Sequence, residues 1–196
     1  FSMVVNASSR TREPIAARTS PAILGLWTFI GSEAIFFGCL IAAYLYLRVR
    51  GGVWPPPDMP HLDLLVPAIN TVVLLSSGVT MHGAHESIRR GDDGMLRWGT
   101  VATMILGAAF LAGQAYEYSK AGFGLSSGIL GSSFFTLTGF HGAHVFVGLV
   151  FLALVLARAS GGHYSPERHE GVAAAALYWH FVDAVWVALF TVLYLI

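Results

Sequence analysis

Five stretches of this sequence, approximately residues 22–47, 64–88, 96–119, 133–157 and 171–196, are apolar runs long enough to cross a bilayer, which takes roughly 20 residues per helix. Lipid offers backbone N–H and C=O groups no hydrogen-bond partner, so a spanning segment must satisfy them within the chain, as a helix or a closed barrel. Runs of this length match helices and are too long for barrel strands, which need only about 10 residues. The fold expected is therefore all-α: a polytopic membrane protein built as a bundle of five transmembrane helices. Composition points the same way. Hydrophobic residues make up 55% of the chain and charged ones 11%, against about a quarter in soluble domains. Eleven Lys and Arg balance eleven Asp and Glu. With no basic tract, nucleic acid is not a partner to expect. Cys39 is the only cysteine, which rules out an intrachain disulfide and a thiolate metal centre; its apolar run makes it read as a small buried hydrophobe.

The connections set orientation. Residues 1–21 are polar, carry Arg10, Arg12 and Arg18 and lack the apolar core of a signal peptide, so they read as a tail before the first helix. "RVRGGVWPPPDMPHLD" (48–63) joins the first two helices, and its three consecutive prolines stop any helix there. "RRGDDG" (89–94) is a tight turn, "AGFGLSSGILGS" (121–132) a Gly- and Ser-rich connector, and "RASGGHYSPERHEG" (158–171) the last loop. The tail, the 89–97 region and the last loop share one side and hold eight of the eleven Lys and Arg. That side is expected to be cytoplasmic, with the C-terminus outside. Small residues (Gly25, Gly31, Ser32 and Gly38; Ser76, Ser77 and Gly78; Gly139 and Gly142) predict close helix approach.

Ionisable side chains inside spans are rare and mark functional or tightly packed sites. Glu33 lies nearest the middle of the first run, among Phe29, Ile30, Phe36, Phe37 and Leu40 on its own helical face. None of these can neutralise it, and desolvation favours the protonated acid. A partner has to come from another helix, a lipid headgroup or water. A purely structural acid and a role in proton handling or lipid contact are both compatible with this pattern. Elsewhere the intramembrane polar set comprises Asn70, Gln114, Glu117, His141, His144, His180 and Asp183, with His82, His85 and Glu86 clustered at the cytoplasmic end of the second helix. Residues three or four apart share a helix face, so His180 is expected to meet Asp183, and His82 to meet Glu86 beside Arg89 and Arg90. Gln114 and Glu117 suit helix-to-helix hydrogen bonding.

Two H-x-x-H pairs, His82/His85 and His141/His144, raise the question of iron, copper or zinc. The pairs sit at different depths. Axial haem ligation would need His141 or His144 level with His180. A histidine-ligated membrane metalloenzyme is the weaker reading, and no metal, catalytic or cofactor-binding residue is assigned in this chain.

"SEAIFF" (32–37), "WPPP" (54–57), "PAINTVVLLSSGVT" (67–80), "QAYEY" (114–118), "GFHGAHVFVG" (139–148) and "YWHFVDAVWVALF" (178–190), in this order, closely resemble subunit III of haem–copper respiratory oxidases of the cytochrome c oxidase type. The resemblance covers residues 22–196 and implies a five-helix bacterial form in the cytoplasmic membrane. It implies an accessory subunit with no haem or copper of its own. Such a subunit packs against subunit I, which carries the haem–copper centre, in a complex that also contains subunit II. It holds phospholipid in a cleft, supports proton uptake and protects the centre during turnover. Oxidase activity would belong to the complex. Glu33 matches the family's acid that hydrophobic carbodiimides label. His141, His144, His180 and Asp183 match positions without redox ligation. The equivalent subunit of a quinol oxidase or nitric oxide reductase is the neighbouring alternative.

Overall fold

The computed structural model describes residues 21–51 and 64–196. The polar tail before Pro21, with its three arginines, and the proline-rich segment with "WPPP" lie outside the described residues. Five helices follow in order: α1 Pro21–Arg50, α2 Leu65–Arg89, α3 Asp93–Lys120, α4 Gly128–Ser160 and α5 Glu170–Phe190, the last continued by a π-helical turn, Thr191–Leu195. All five, with the π-turn counted into α5, are long and apolar enough to cross a membrane. The chain is all-helical among the described residues, apart from one isolated bridge between Ser165 and Arg168.

Two helix starts differ from the sequence expectation. α4 begins at Gly128, inside the stretch read as a connector. α3 begins at Asp93 because Asp92 caps it, its Oδ1 accepting from the Met95 N–H at 2.9 Å. Just before, Gly91 takes φ +79°. That left-handed residue lets the Gly91 N–H donate to Ile88 O and the Asp92 N–H to Ser87 O, both at 3.0 Å. The six residues "RRGDDG" thus stop one helix, reverse the chain and start the next.

The α2–α3 hairpin and α5 form the tightest part of the bundle. Thr80 and Thr103 hydroxyls meet at 2.8 Å, and a Cβ on Gly99 would stand 2.8 Å from the Ala84 Cβ. α5 drives two indoles into this wall: Trp179 Nε1 donates to Ser77 Oγ and Trp186 Nε1 to Thr71 Oγ1, each at 2.9 Å. The Trp179 ring is fully buried in a slot between α3 and α4, where Cβ atoms on Gly107 and Gly148 would lie 2.6 and 2.8 Å from it.

α1 is attached differently. Three of its 30 residues are buried, Ile30, Phe37 and Tyr44, one every second turn. They form a narrow seam against α4 and α5. The small residues read as packing points in α1 do not serve that purpose within this chain: a Cβ on Gly25, Gly31 or Gly38 would meet nothing within 4 Å. Cys39 is likewise exposed, not buried, because it lies off the seam, two residues past Phe37.

Candidate functional site

The acid in α1 finds its partner across the seam. Glu33 Oε2 lies 3.0 Å from His144 Nε2 on α4, both side chains being about one-fifth exposed or less, at 21% and 17%. The other ring nitrogen, Nδ1, is 2.7 Å from the Phe140 carbonyl one turn back. A carbonyl only accepts, so Nδ1 carries a proton. Two arrangements then satisfy the Glu33 contact: a neutral acid donating to Nε2, or an imidazolium donating to a carboxylate. An ionised acid facing a neutral ring would put lone pair against lone pair. Either arrangement forms one hydrogen bond across the seam between α1 and α4. Around it, Phe37 packs edge-on against the His144 ring at 5.0 Å and Phe36 against Phe140 at 5.1 Å. Tyr178 OH donates to the His144 carbonyl at 3.1 Å, joining α5 to the site.

One turn from Glu33, Phe29 forms part of the wall of a cleft of about 530 Å³ between α1, α4 and α5, with Leu26, Phe151 and Leu154. Apolar side chains line it, and Arg158 and Tyr164 stand at one end, the guanidinium carbon 5.9 Å from the ring centroid. Arg158 and Tyr164 also line an adjoining polar hollow of about 450 Å³ with His163, Glu167 and Arg168. In this loop, burial raises the Tyr164 hydroxyl above its ordinary value, against the opposing pull of Arg158. Glu167 is held below the usual carboxylate value by its own backbone N–H and by Ser165 Oγ, which donates at 2.9 Å.

The remaining polar residues separate into small sets. Glu117 accepts from Tyr194 OH at 2.7 Å and from Gln114 Nε2 at 3.2 Å, so the π-turn at the end of α5 is tied to α3. His180 Nδ1 faces Asp183 Oδ2 at 3.7 Å. The expected contact between His82 and Glu86 is replaced: Glu86 pairs with Arg89 and Arg90 at 3.2 and 3.3 Å, while the His82 ring turns to His180, centroids 6.4 Å apart. His85 faces His169 at 5.8 Å. His141 does not join His144. It is buried against Trp186 and the edge of Phe110, at 5.0 and 5.6 Å. Asn70, also buried, lies against Gly113 of α3. Among the described residues no three His, Cys, Asp or Glu side chains converge as a metal-binding group.

Sequence reasoning did not find His144 as the partner of Glu33, nor Tyr194 and Arg158. His144 and Glu33 are 111 residues apart, and no spacing rule links helices at that separation. The i−4 carbonyl that orients His144 was equally out of reach, since any helical residue has one.

Comparison with known proteins bears on this arrangement. Residues 9–196 match the family model described as "Cytochrome c oxidase subunit III". The chain is 44% identical over 176 residues to cytochrome c oxidase subunit 3 of Thermostichus vulcanus, covering 89% of this chain and 87% of that one. It is 44% identical to the Synechocystis protein of that name over 89% of this chain and 75% of the relative. The carp protein, from Cyprinus carpio, is also 44% identical, over 87% of this chain and 67% of the relative. A family match across nearly the whole chain, on five membrane-crossing helices, leaves one assignment: the chain belongs to the cytochrome c oxidase subunit III family, and it is a multi-pass membrane subunit of an oxidase.

Proposed function

We propose that this chain is the accessory, non-catalytic subunit of a proton-pumping terminal oxidase that passes electrons from cytochrome c to oxygen. It packs beside the haem- and copper-bearing subunit I, in a complex with subunit II. In this role it holds phospholipid, stabilises its partner and supports proton uptake. The observation that carries the reading is the Glu33–His144 pair, an acid–imidazole contact inside the membrane next to an apolar cleft with a cation at its end. Acyl chains fit the Phe29, Phe151 and Leu154 walls, and a phosphate fits Arg158 by charge-assisted hydrogen bonding. The arginine-rich loop end is read as cytoplasmic, in a bacterial inner membrane, because Lys and Arg favour that side. There the histidines at 82, 85, 163 and 169, within or beside a charged surface, suit proton collection near the partner's uptake point.

The test has three arms. Purification of the chain in mild detergent recovers a haem-bearing partner; recovery of the chain alone overturns the reading. A hydrophobic carbodiimide, which attacks a protonated carboxyl, labels the chain at Glu33. Glu33→Gln abolishes that labelling while leaving assembly intact, because the amide N–H can still donate to His144 Nε2; persistent labelling removes Glu33 from the role. Arg158→Leu lowers the phospholipid retained per complex after detergent washing, and unchanged retention would take the lipid from this cleft.

A further inference from the structure

A layer of polar side chains crosses the interior of the bundle. Asn70 of α2, Gln114 of α3 and His141 of α4 are 5%, 4% and 1% exposed. Helix register puts them at one height. Asn70 packs on Gly113, in the same antiparallel α2–α3 register that joins Thr80 to Thr103 and Ala84 to Gly99. Between α3 and α4, the Tyr118–Thr138 hydroxyl bond at 2.7 Å lies to one side of Gln114 and His141, and the approach of Leu111 to Gly142 lies to the other. Trp186 closes the layer from α5. Its Nε1 donates to Thr71, next to Asn70, and its ring lies 5.0 Å from the His141 ring. Phe110, one turn before Gln114 on the same face of α3, meets both rings.

The layer does not close on its own groups. Asn70 Nδ2, Gln114 Oε1 and both ring nitrogens of His141 are buried with no hydrogen-bond partner among the described residues. Gln114 Nε2 donates to Glu117 Oε2 at 3.2 Å, which fixes the amide so that its oxygen is the atom left over. A neutral imidazole carries one N–H and one bare nitrogen. The missing partners are therefore of two kinds: acceptors for the Asn70 and His141 N–H groups, donors for the Gln114 oxygen and the bare nitrogen. A metal ion meets only the second need and an anion only the first. Lipid tails meet neither. Water meets both. Packing leaves room for it on the α3–α4 side. Gly139 and Gly142 flank His141, and a Cβ on either would meet a single atom, at 3.8 Å, whereas a Cβ on Gly99 between α2 and α3 would stand 2.8 Å from Ala84.

We propose that this layer is a binding site for ordered water, held by Asn70, Gln114 and His141 between α2, α3 and α4. One molecule accepts from Asn70 Nδ2 and donates to Gln114 Oε1 and to the nearer His141 nitrogen, or accepts from that nitrogen in the other tautomer. The two ring nitrogens point apart, so a single molecule cannot serve both, and about two are needed if each makes the usual three or so hydrogen bonds. Water, not direct side-chain pairing, then ties three helices together at a depth where hydrocarbon offers no polar partner. The site involves no lipid and no second subunit, so it goes beyond the role proposed above and does not depend on it.

The experiment uses the intact protein purified with whatever subunits accompany it. X-ray irradiation turns bound water into hydroxyl radicals in place, so side chains touching it are oxidised although bulk solvent cannot reach them. Trp186 and Trp179 are both fully buried. Trp179, enclosed in its slot with its N–H bonded to Ser77, is the internal control. Trp186 is expected to be oxidised several-fold faster than Trp179, and equal rates overturn the site. His141→Phe removes both ring nitrogens and is expected to bring Trp186 down to the rate of Trp179; an unchanged Trp186 rate takes the water away from His141 and overturns the proposal. Should that variant fail to fold, a density map of the wild-type protein decides. The expected result is a water peak within about 3 Å of Asn70 Nδ2, Gln114 Oε1 and a nitrogen of His141. A direct Asn70–Gln114 hydrogen bond with no such peak overturns the site.

Discussion

α1 and the two helices of the α2–α3 hairpin are each long and apolar enough to cross a membrane, yet they are held by different means. In α2, nine of 25 residues are buried, including Leu74, Ser77, Gly78, Met81 and Ala84, and the neighbouring backbones interlock through Gly99, Thr80 and Thr103. In α1 three of 30 are buried, and its polar links to its neighbours include Glu33 to His144 and Arg48 to the Ile196 carbonyl at the end of α5. Apolar side chains drive no association in lipid, where the tails are as apolar as leucine. What separates the two regions is therefore geometry: small residues let the hairpin close up, while α1 keeps its surface open. A helix bound by a thin seam and a few polar contacts is suited to line a cleft, and the cleft is bordered by α1.

The sharpest break of this comparison comes from the Trp179 slot. Gly148→Val puts a branched side chain where even a Cβ would stand 2.8 Å from the indole. Overpacking typically costs about 1–3 kcal/mol, and with ring and helix both confined the top of that range is expected. The readout is the yield of folded protein and its melting temperature in detergent. If Gly148→Val melts like wild type, the α3–α4 slot that holds the α5 indole is not rigidly packed. Next comes His144→Leu, which strands a part-buried acid without its partner. Leaving such a group unsatisfied costs about 1–3 kcal/mol. The loss should appear as faster proteolysis or hydrogen exchange confined to α1, with α2 and α3 unchanged.

A smaller effect lies in the α4–α5 loop. Glu167 is held below the ordinary value of 4.5 by its backbone N–H and Ser165. A carboxylate with a depressed native pKa contributes stability that is present above its unfolded value and lost as pH falls through the native one. Local loop order should therefore decline on acidification below about 4.5, and Ser165→Ala should move the loss to higher pH, as followed by loop hydrogen exchange. The least effect is expected from Gly31→Ala on α1. Nothing stands within 4 Å of the added methyl, and alanine is the better helix former by roughly 1 kcal/mol, so melting should stay level or rise slightly. A drop as large as that of Gly148→Val would erase the distinction between the two regions.

Legibility followed the physics of each level. The helices could be read because a bilayer leaves a long apolar segment no other local structure. The α2–α3 turn was visible in "RRGDDG", whose glycine and aspartates have the required local chemistry. Small residues misled in α1: glycine permits close approach but does not summon a neighbour, and Gly25, Gly31 and Gly38 have none within this chain. The i,i+3 rule placed His180 near Asp183, but it could not foresee that His82 would leave Glu86 for His180, since that choice depends on how α2 and α5 are rotated. The same rotation sends His141 into an aromatic box and His144 to Glu33, although both lie on one turn of α4.

By itself, then, the sequence determined that the chain is a five-helix membrane bundle with acids and imidazoles at depth, because chain length and side-chain polarity are local quantities that water and lipid sort directly. Only tertiary structure decided which imidazole faces Glu33, where a cleft opens, and which polar groups turn outward. Those outcomes depend on the azimuth and separation of packed helices, and these are set by side-chain contacts between residues a hundred or more positions apart.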